Sequence, residues 1–222
     1  MKRAARMPEK LSASAHRQLN IYALAAGAAG VGMLALAQPA EGKIIYHKTH
    51  LVIAGAERYN LDLNHDKITD FSIVNFLSNS CPRCVQGLYA VPTGGNSEVG
   101  SVKSSIRFAA AMKKGSVIGP KAHFQAESGV MREAFSTQGS TGPWNNVKNR
   151  YLGFKFQIKG MAHYGWARLN VTGNGIKGIV ATMTGYAYET IPNKAVVAGQ
   201  TTGTDGGADE RGTLGGLALG RK

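Results

Sequence analysis

Acidic side chains are scarce in this sequence: 13 Asp and Glu stand against 26 Lys and Arg over 222 residues, a formal net charge of +13. Cysteines number two and tryptophans two. One bridge is the most those cysteines can make, so a disulfide-dense scaffold is excluded. No tryptophan-rich cleft pattern is present, and helix-favouring patterns are rare after residue 43, which leaves an all-β fold. No basic helix or aromatic nucleic-acid motif occurs either. Lys and Arg are spread singly along the predicted strands, with only Lys113 and Lys114 adjacent in the core, so the basic charge reads as a solvated surface and not a nucleic-acid site.

Long hydrophobic runs are also missing, with one exception. Ile21 to Ala37 (IYALAAGAAGVGMLALA) is apolar but short of the roughly 20 residues a membrane span needs. It follows a basic, polar stretch and ends in Ala35-Leu36-Ala37, a small-x-small cleavage pattern, so residues 1–40 read as a secretory signal peptide without a twin-arginine pair. A retained anchor is the lesser alternative. The expected mature chain starts near Gln38 or Glu41, outside the cytoplasm. Residues 41–222 keep 21 basic and 12 acidic side chains, a net +9, which favours contact with anionic polymers or envelope polysaccharide.

What is abundant is the material of strands and turns: 29 Gly, with Thr, Val, Ile and Tyr in short runs. In Tyr151 to Ile158, Leu152, Phe154, Phe156 and Ile158 alternate with Gly153, Lys155 and Gln157, so one face should pack inward and the other meet solvent. Lys159-Gly160 offers a tight turn into Ala162 to Thr172, which sets Tyr164, Trp166 and Arg168 on one face. Gly173-Asn174-Gly175 leads to a third strand, Ile176 to Thr184. Tyr164 and Trp166, with His163, are the candidate aromatic platform for a sugar; packing inside the sheet is the alternative role.

One stretch carries a definite chemistry. In YNLDLNHDKITDFSIVNF, Asp62, Asn64, Asp66 and Asp70 stand at positions one, three, five and nine of a short loop, and the Ile68 carbonyl supplies position seven. That is a calcium-loop pattern, with strands expected on both sides. Lys67 where glycine usually turns the loop, and Ile73 where a bidentate Glu would stand, exclude a helical EF-hand. The loop resembles the DxNxDGxxD corners of extracellular β-repeat and dockerin-like proteins. Its other reading is a solvated acidic turn whose Asp and Asn bond their own backbone. The expected cofactor is Ca2+.

The remaining candidates are weaker. Cys81-Pro82-Arg83-Cys84 is the only cysteine pair, and export makes Cys81–Cys84 an expected disulfide closing a small loop; a redox motif or half a zinc site are the alternatives. His47 and His50 lie three apart and should point to opposite faces of a strand, as surface residues. Glu127 and Glu133 are the only acids spaced like a glycosidase pair, with the even separation that shares a strand face.

YLGFKFQI, HYGWARLNV and GYAYETIPNKAVVAGQ, with a tail ending TLGGLALGRK, resemble a group of secreted bacterial β-rich proteins of uncharacterised function, whose C-termini are similar to a PEP-CTERM sorting signal. Here that tail is degenerate: it lacks the Pro-Glu-Pro element. The resemblance implies an exported domain and assigns no catalytic residue. The expectation is therefore a signal peptide (1–40), an antiparallel, jelly-roll-like β-sandwich (41–200) and a disordered Gly-rich tail (201–222). Its expected role is structural or binding, outside the cell or in the envelope, without catalysis. Polysaccharide binding, glycoside hydrolysis by Glu127 and Glu133, or self-association into a surface filament or layer are the rivals.

Overall fold

The computed structural model describes residues 42–78, 85–136, 139–173 and 178–203. The expected signal peptide, the Cys81–Cys84 pair, the Asn174-Gly175 turn and all but the first three residues of the tail lie outside them. No helix occurs among the described residues.

The described residues form fourteen strands: β1 (Ile44–Ala54), β2 (Arg58–Leu61), β3 (Phe71–Ser78), β4 (Val85–Pro92), β5 (Ser97–Lys103), β6 (Ile106–Ala109), β7 (Val117–Ile118), β8 (Phe124–Gln125), β9 (Gly129–Phe135), β10 (Gly139–Thr141), β11 (Val147–Ile158), β12 (Met161–Thr172), β13 (Val180–Glu189) and β14 (Val196–Val197). The all-β expectation holds, but the two-sheet sandwich does not. Ten strands follow one hydrogen-bonded order, β1-β13-β12-β11-β5-β6-β9-β4-β3-β2, in a mixed sheet nearly closed into a barrel-like shape. β10 and β8 attach at β9 and β5, and β7 pairs β14 apart from the rest. Every pairing is antiparallel except β6 with β9. That one non-local parallel contact joins the two halves of the sheet, so they share one interior instead of stacking as layers.

The β11–β12 hairpin forms as its alternation predicts. Ile158 faces Met161 across Lys159 (φ 50°) and Gly160 (φ 77°), both left-handed as a tight two-residue turn requires. Leu152, Phe154 and Phe156 of β11, with Ala167, Leu169 and Val171 of β12, point into the interior beside Phe71 and Ile73. Each fully buried Phe or Leu there contributes about 2 kcal/mol of transfer free energy.

The outer face of the hairpin differs from expectation, because it too is covered. Ile118 of β7, Val196 of β14 and Phe124 of β8 pack over Tyr151, Tyr164 and Trp166. The third strand also runs further than the sequence suggested, to Glu189.

Two amides hold the seam between β3–β4 and β1–β13. Asn75 Nδ2 donates to the Ile179 carbonyl at 2.8 Å and Gln86 Nε2 to Asn75 Oδ1 at 2.9 Å. The Ile179 amide donates back to Gln86 Oε1 at 2.9 Å. Buried amides fully engaged in this way fix register as well as adding stability.

Candidate functional site

The calcium-pattern loop joins β2 to β3, the corner its flanks predicted. Leu61 before it and Leu63 within it are fully buried, and Leu61 pairs with Phe71 at its base. Those two leucines anchor the loop, while His65, Asp66, Lys67 and Ile68 are exposed. The chain reverses through His65 (φ 61°) and Lys67 (φ 72°), left-handed positions that cost a side chain roughly 1 kcal/mol or more.

The acids have distinct partners. Asp62 accepts the Lys67 amide at 2.8 Å and the Asp66 amide at 3.3 Å. Asp66 accepts the Ile68 amide at 2.8 Å and Asn64 Nδ2 at 2.9 Å. Asn64 Oδ1 is buried and receives no donor. Asp70 is only 4% exposed and clasps the base of the loop: Oδ2 accepts the Leu63 amide at 2.8 Å, and Oδ1 accepts Asn96 Nδ2 at 3.2 Å. Its carbonyl accepts the Thr93 amide, and Thr93 Oγ1 donates to the Thr69 carbonyl.

Burial pushes the Asp70 carboxyl up to about 6. The Leu63 amide opposes that, the neighbouring charges of Asp62 and Asp66 add to it, and Asn96 opposes it weakly. The Asp62 charge also reaches Tyr186 and Tyr188, whose hydroxyls are pushed up chiefly by burial. Asp62, Asp66 and Asp70 are thus brought within electrostatic reach of one another. They are not gathered tightly: among the described residues no three His, Cys, Asp or Glu side chains converge as a metal-ligand group.

An aromatic cluster that the sequence did not reveal backs the loop. His47 of β1 sits opposite Tyr186 of β13 in register and stacks on it at 5.1 Å between centroids. His65 packs on His47 at 4.3 Å, and its Nε2 is hydrogen-bonded to the Tyr186 hydroxyl at 3.0 Å. Burial lowers the His47 pKa, and His65 lowers it further. The surface role expected of the histidines holds for His50 alone, which is exposed; His47 is half-buried. A register irregularity falls between Lys48 and Leu51, around His50.

The other candidates fall apart from one another. Tyr164 and Trp166 are 3% and 1% exposed. Tyr164 stacks under Phe124 at 5.7 Å, and Trp166 meets Tyr151 edge-on at 5.2 Å, so both rings serve packing and offer no open face. Glu127 lies in the link before β9, outside any strand, and ion-pairs with Arg107 at 2.9 Å. Glu133, within β9, accepts the Tyr89 hydroxyl at 2.7 Å. Their even spacing therefore does not place them along one strand face. Compared with known proteins, the chain matches no family model, no curated protein and no solved structure.

Proposed function

We propose that this chain is a secreted or cell-envelope structural or binding protein whose β2–β3 corner is fastened by calcium, with Asp62, Asn64, Asp66, the Ile68 carbonyl and Asp70 as ligands. The observation that supports this reading most is the Asp70 carboxyl group. It is withdrawn from water, pressed by the charges of Asp62 and Asp66, and bonded to no cationic side chain among the described residues. A divalent cation at the mouth of the loop offsets that repulsion and gives Asn64 Oδ1 the partner it lacks. Carboxylate oxygens that accept backbone amides keep lone pairs for a metal. Five protein oxygens leave the remaining calcium positions to water.

Without a bidentate Glu and with Lys67 inside the loop, the affinity belongs with extracellular modules, at about 10⁻⁴–10⁻³ M. Such weak binding suits a compartment where calcium is plentiful, in keeping with the leader expected of residues 1–40.

Thermal melting in calcium and in chelator tests the reading. At calcium a hundredfold above its dissociation constant the folded state gains about 2.7 kcal/mol. The gain should vanish in Asp66→Asn, and magnesium, which dehydrates reluctantly, should not reproduce it. Identical melting of the unaltered chain in both solutions would sink the proposal.

A further inference from the structure

A second buried acid lies within the sheet. Glu98 of β5 is 0% exposed and stands opposite Gln125 of β8 on one side and Phe154 of β11 on the other. Gln125 Nε2 donates to Glu98 Oε1 at 3.0 Å and to the Phe108 carbonyl at 3.2 Å. Two acceptors remain, Glu98 Oε2 and Gln125 Oε1, both buried and both without a donor. An ionised carboxylate in that position presents one electron-rich oxygen to the low-dielectric interior, and the amide oxygen adds a second.

The charged groups on neighbouring elements do not relieve it. Arg107 of β6 is paired with Glu127 at the surface, and the Lys155 Nζ of β11 lies 6.0 Å from the Phe124 ring centroid. Arg132 of β9 donates to Asn146, Ser140 and the Gly173 carbonyl, while Glu133 accepts from Tyr89. Lys103 at the end of β5 and His123 before β8 are exposed.

We propose that Glu98 is carried as a neutral carboxylic acid whose Oε2–H donates to Gln125 Oε1, closing a cyclic acid–amide pair that acts as a pH-sensitive latch holding β8 against β5. One proton satisfies both orphaned acceptors at once. Burial drives the same outcome, pushing the Glu98 carboxyl up to about 8, while hydrogen bonds from Gln125 and from the Glu98 and Gly129 amides only partly oppose it. β8 is two residues long, and its Phe124 covers Tyr164, so loss of the pair loosens the cover over the outer face of β12.

The folded-state pKa lies above the unfolded value of 4.5. The stability it contributes is therefore complete below about 4.5 and is lost as pH rises to about 8.

Denaturant unfolding of the purified chain from pH 5 to pH 9 tests this against Glu98→Gln, whose amide can donate permanently to Gln125 Oε1. In the unaltered chain the unfolding constant should rise by up to about tenfold per pH unit between about pH 5 and pH 8 and level off above that. The difference between the two chains should carry that slope. Parallel profiles overturn the latch. Infrared spectra of the unaltered chain give an answer even where Glu98→Gln fails to fold. A protonated carboxyl stretch at pH 7 that disappears by pH 9 supports the neutral acid, and its absence at pH 7 overturns it.

Discussion

Asp70, at the base of the β2–β3 loop, and Glu98, in the sheet beneath β8, are both carboxyl groups withdrawn from water, yet their surroundings ask for different remedies. Asp70 has a strong backbone donor on one oxygen and an amide on the other, and burial together with two neighbouring carboxylates lifts it only to about 6. Glu98 has no acid nearby, but one of its oxygens has no donor at all, and burial alone lifts it to about 8. The burial of Glu98 thus outweighs the burial of Asp70 and its two like charges together. On the two proposals above, Asp70 stays ionised beside a cation, whereas Glu98 keeps its proton.

The largest effect that tests this contrast is expected from Asp70→Ala. Removing the carboxyl leaves the buried Leu63 amide without an acceptor and Asn96 Nδ2 with only the residue 70 carbonyl at 3.1 Å, a loss of about 3 kcal/mol in denaturant unfolding at pH 7 in chelator. Asp70→Asn, which keeps one acceptor, should lose less than half of that. Equal losses would mean that the charge, and not the clasp, matters at the loop base. On the Glu98 side, Gly129→Ala should cost about 2 kcal/mol by overpacking. A Cβ there meets Glu98 Oε1 at 2.5 Å, Gln125 Nε2 at 2.7 Å and the Ala109 backbone nitrogen at 2.8 Å, and the last cannot swing aside. Should Gly129→Ala unfold no more easily than the unaltered chain, the acid–amide pair is looser than its packing implies.

The two regions also differed in how far the sequence revealed them. The loop was visible because its oxygens repeat at odd positions between apolar pairs, and the β11–β12 hairpin because Leu152, Phe154 and Phe156 alternate ahead of Lys159-Gly160. Glu98 sits in SEVGSVK, where nothing local marks a buried acid; its burial depends on β8 and β11, 27 and 56 positions away by the Gln125 and Phe154 pairings. For the same reason Tyr164 and Trp166 read as a possible open platform. The strands that cover them, β7, β8 and β14, are two residues each and too short to show a period. Alternation names strands without naming their neighbours, so the parallel β6–β9 contact that turns the expected sandwich into one nearly closed sheet had no local signature. His65 joined His47 and Tyr186 by the same long-range route.

The smallest effect sharpens the contrast most, because it acts on the backbone alone. Lys67 holds φ at 72° with its side chain exposed, so Lys67→Gly removes left-handed strain without deleting a packed group. The folded state should gain about 0.5–1 kcal/mol, less the entropy glycine adds to the unfolded chain. The same change removes a positive charge from among Asp62, Asp66 and Asp70, which raises their mutual repulsion when no metal is present and strengthens their pull on one when it is. In chelator the two contributions oppose each other and melting should move little; in calcium they add. The gap between calcium and chelator should therefore widen in Lys67→Gly, while the pH profile that Glu98 sets, in a different part of the sheet, stays where it was. An unchanged gap would mean that strain at residue 67 is the whole of its effect and that the loop's acids answer to no cation.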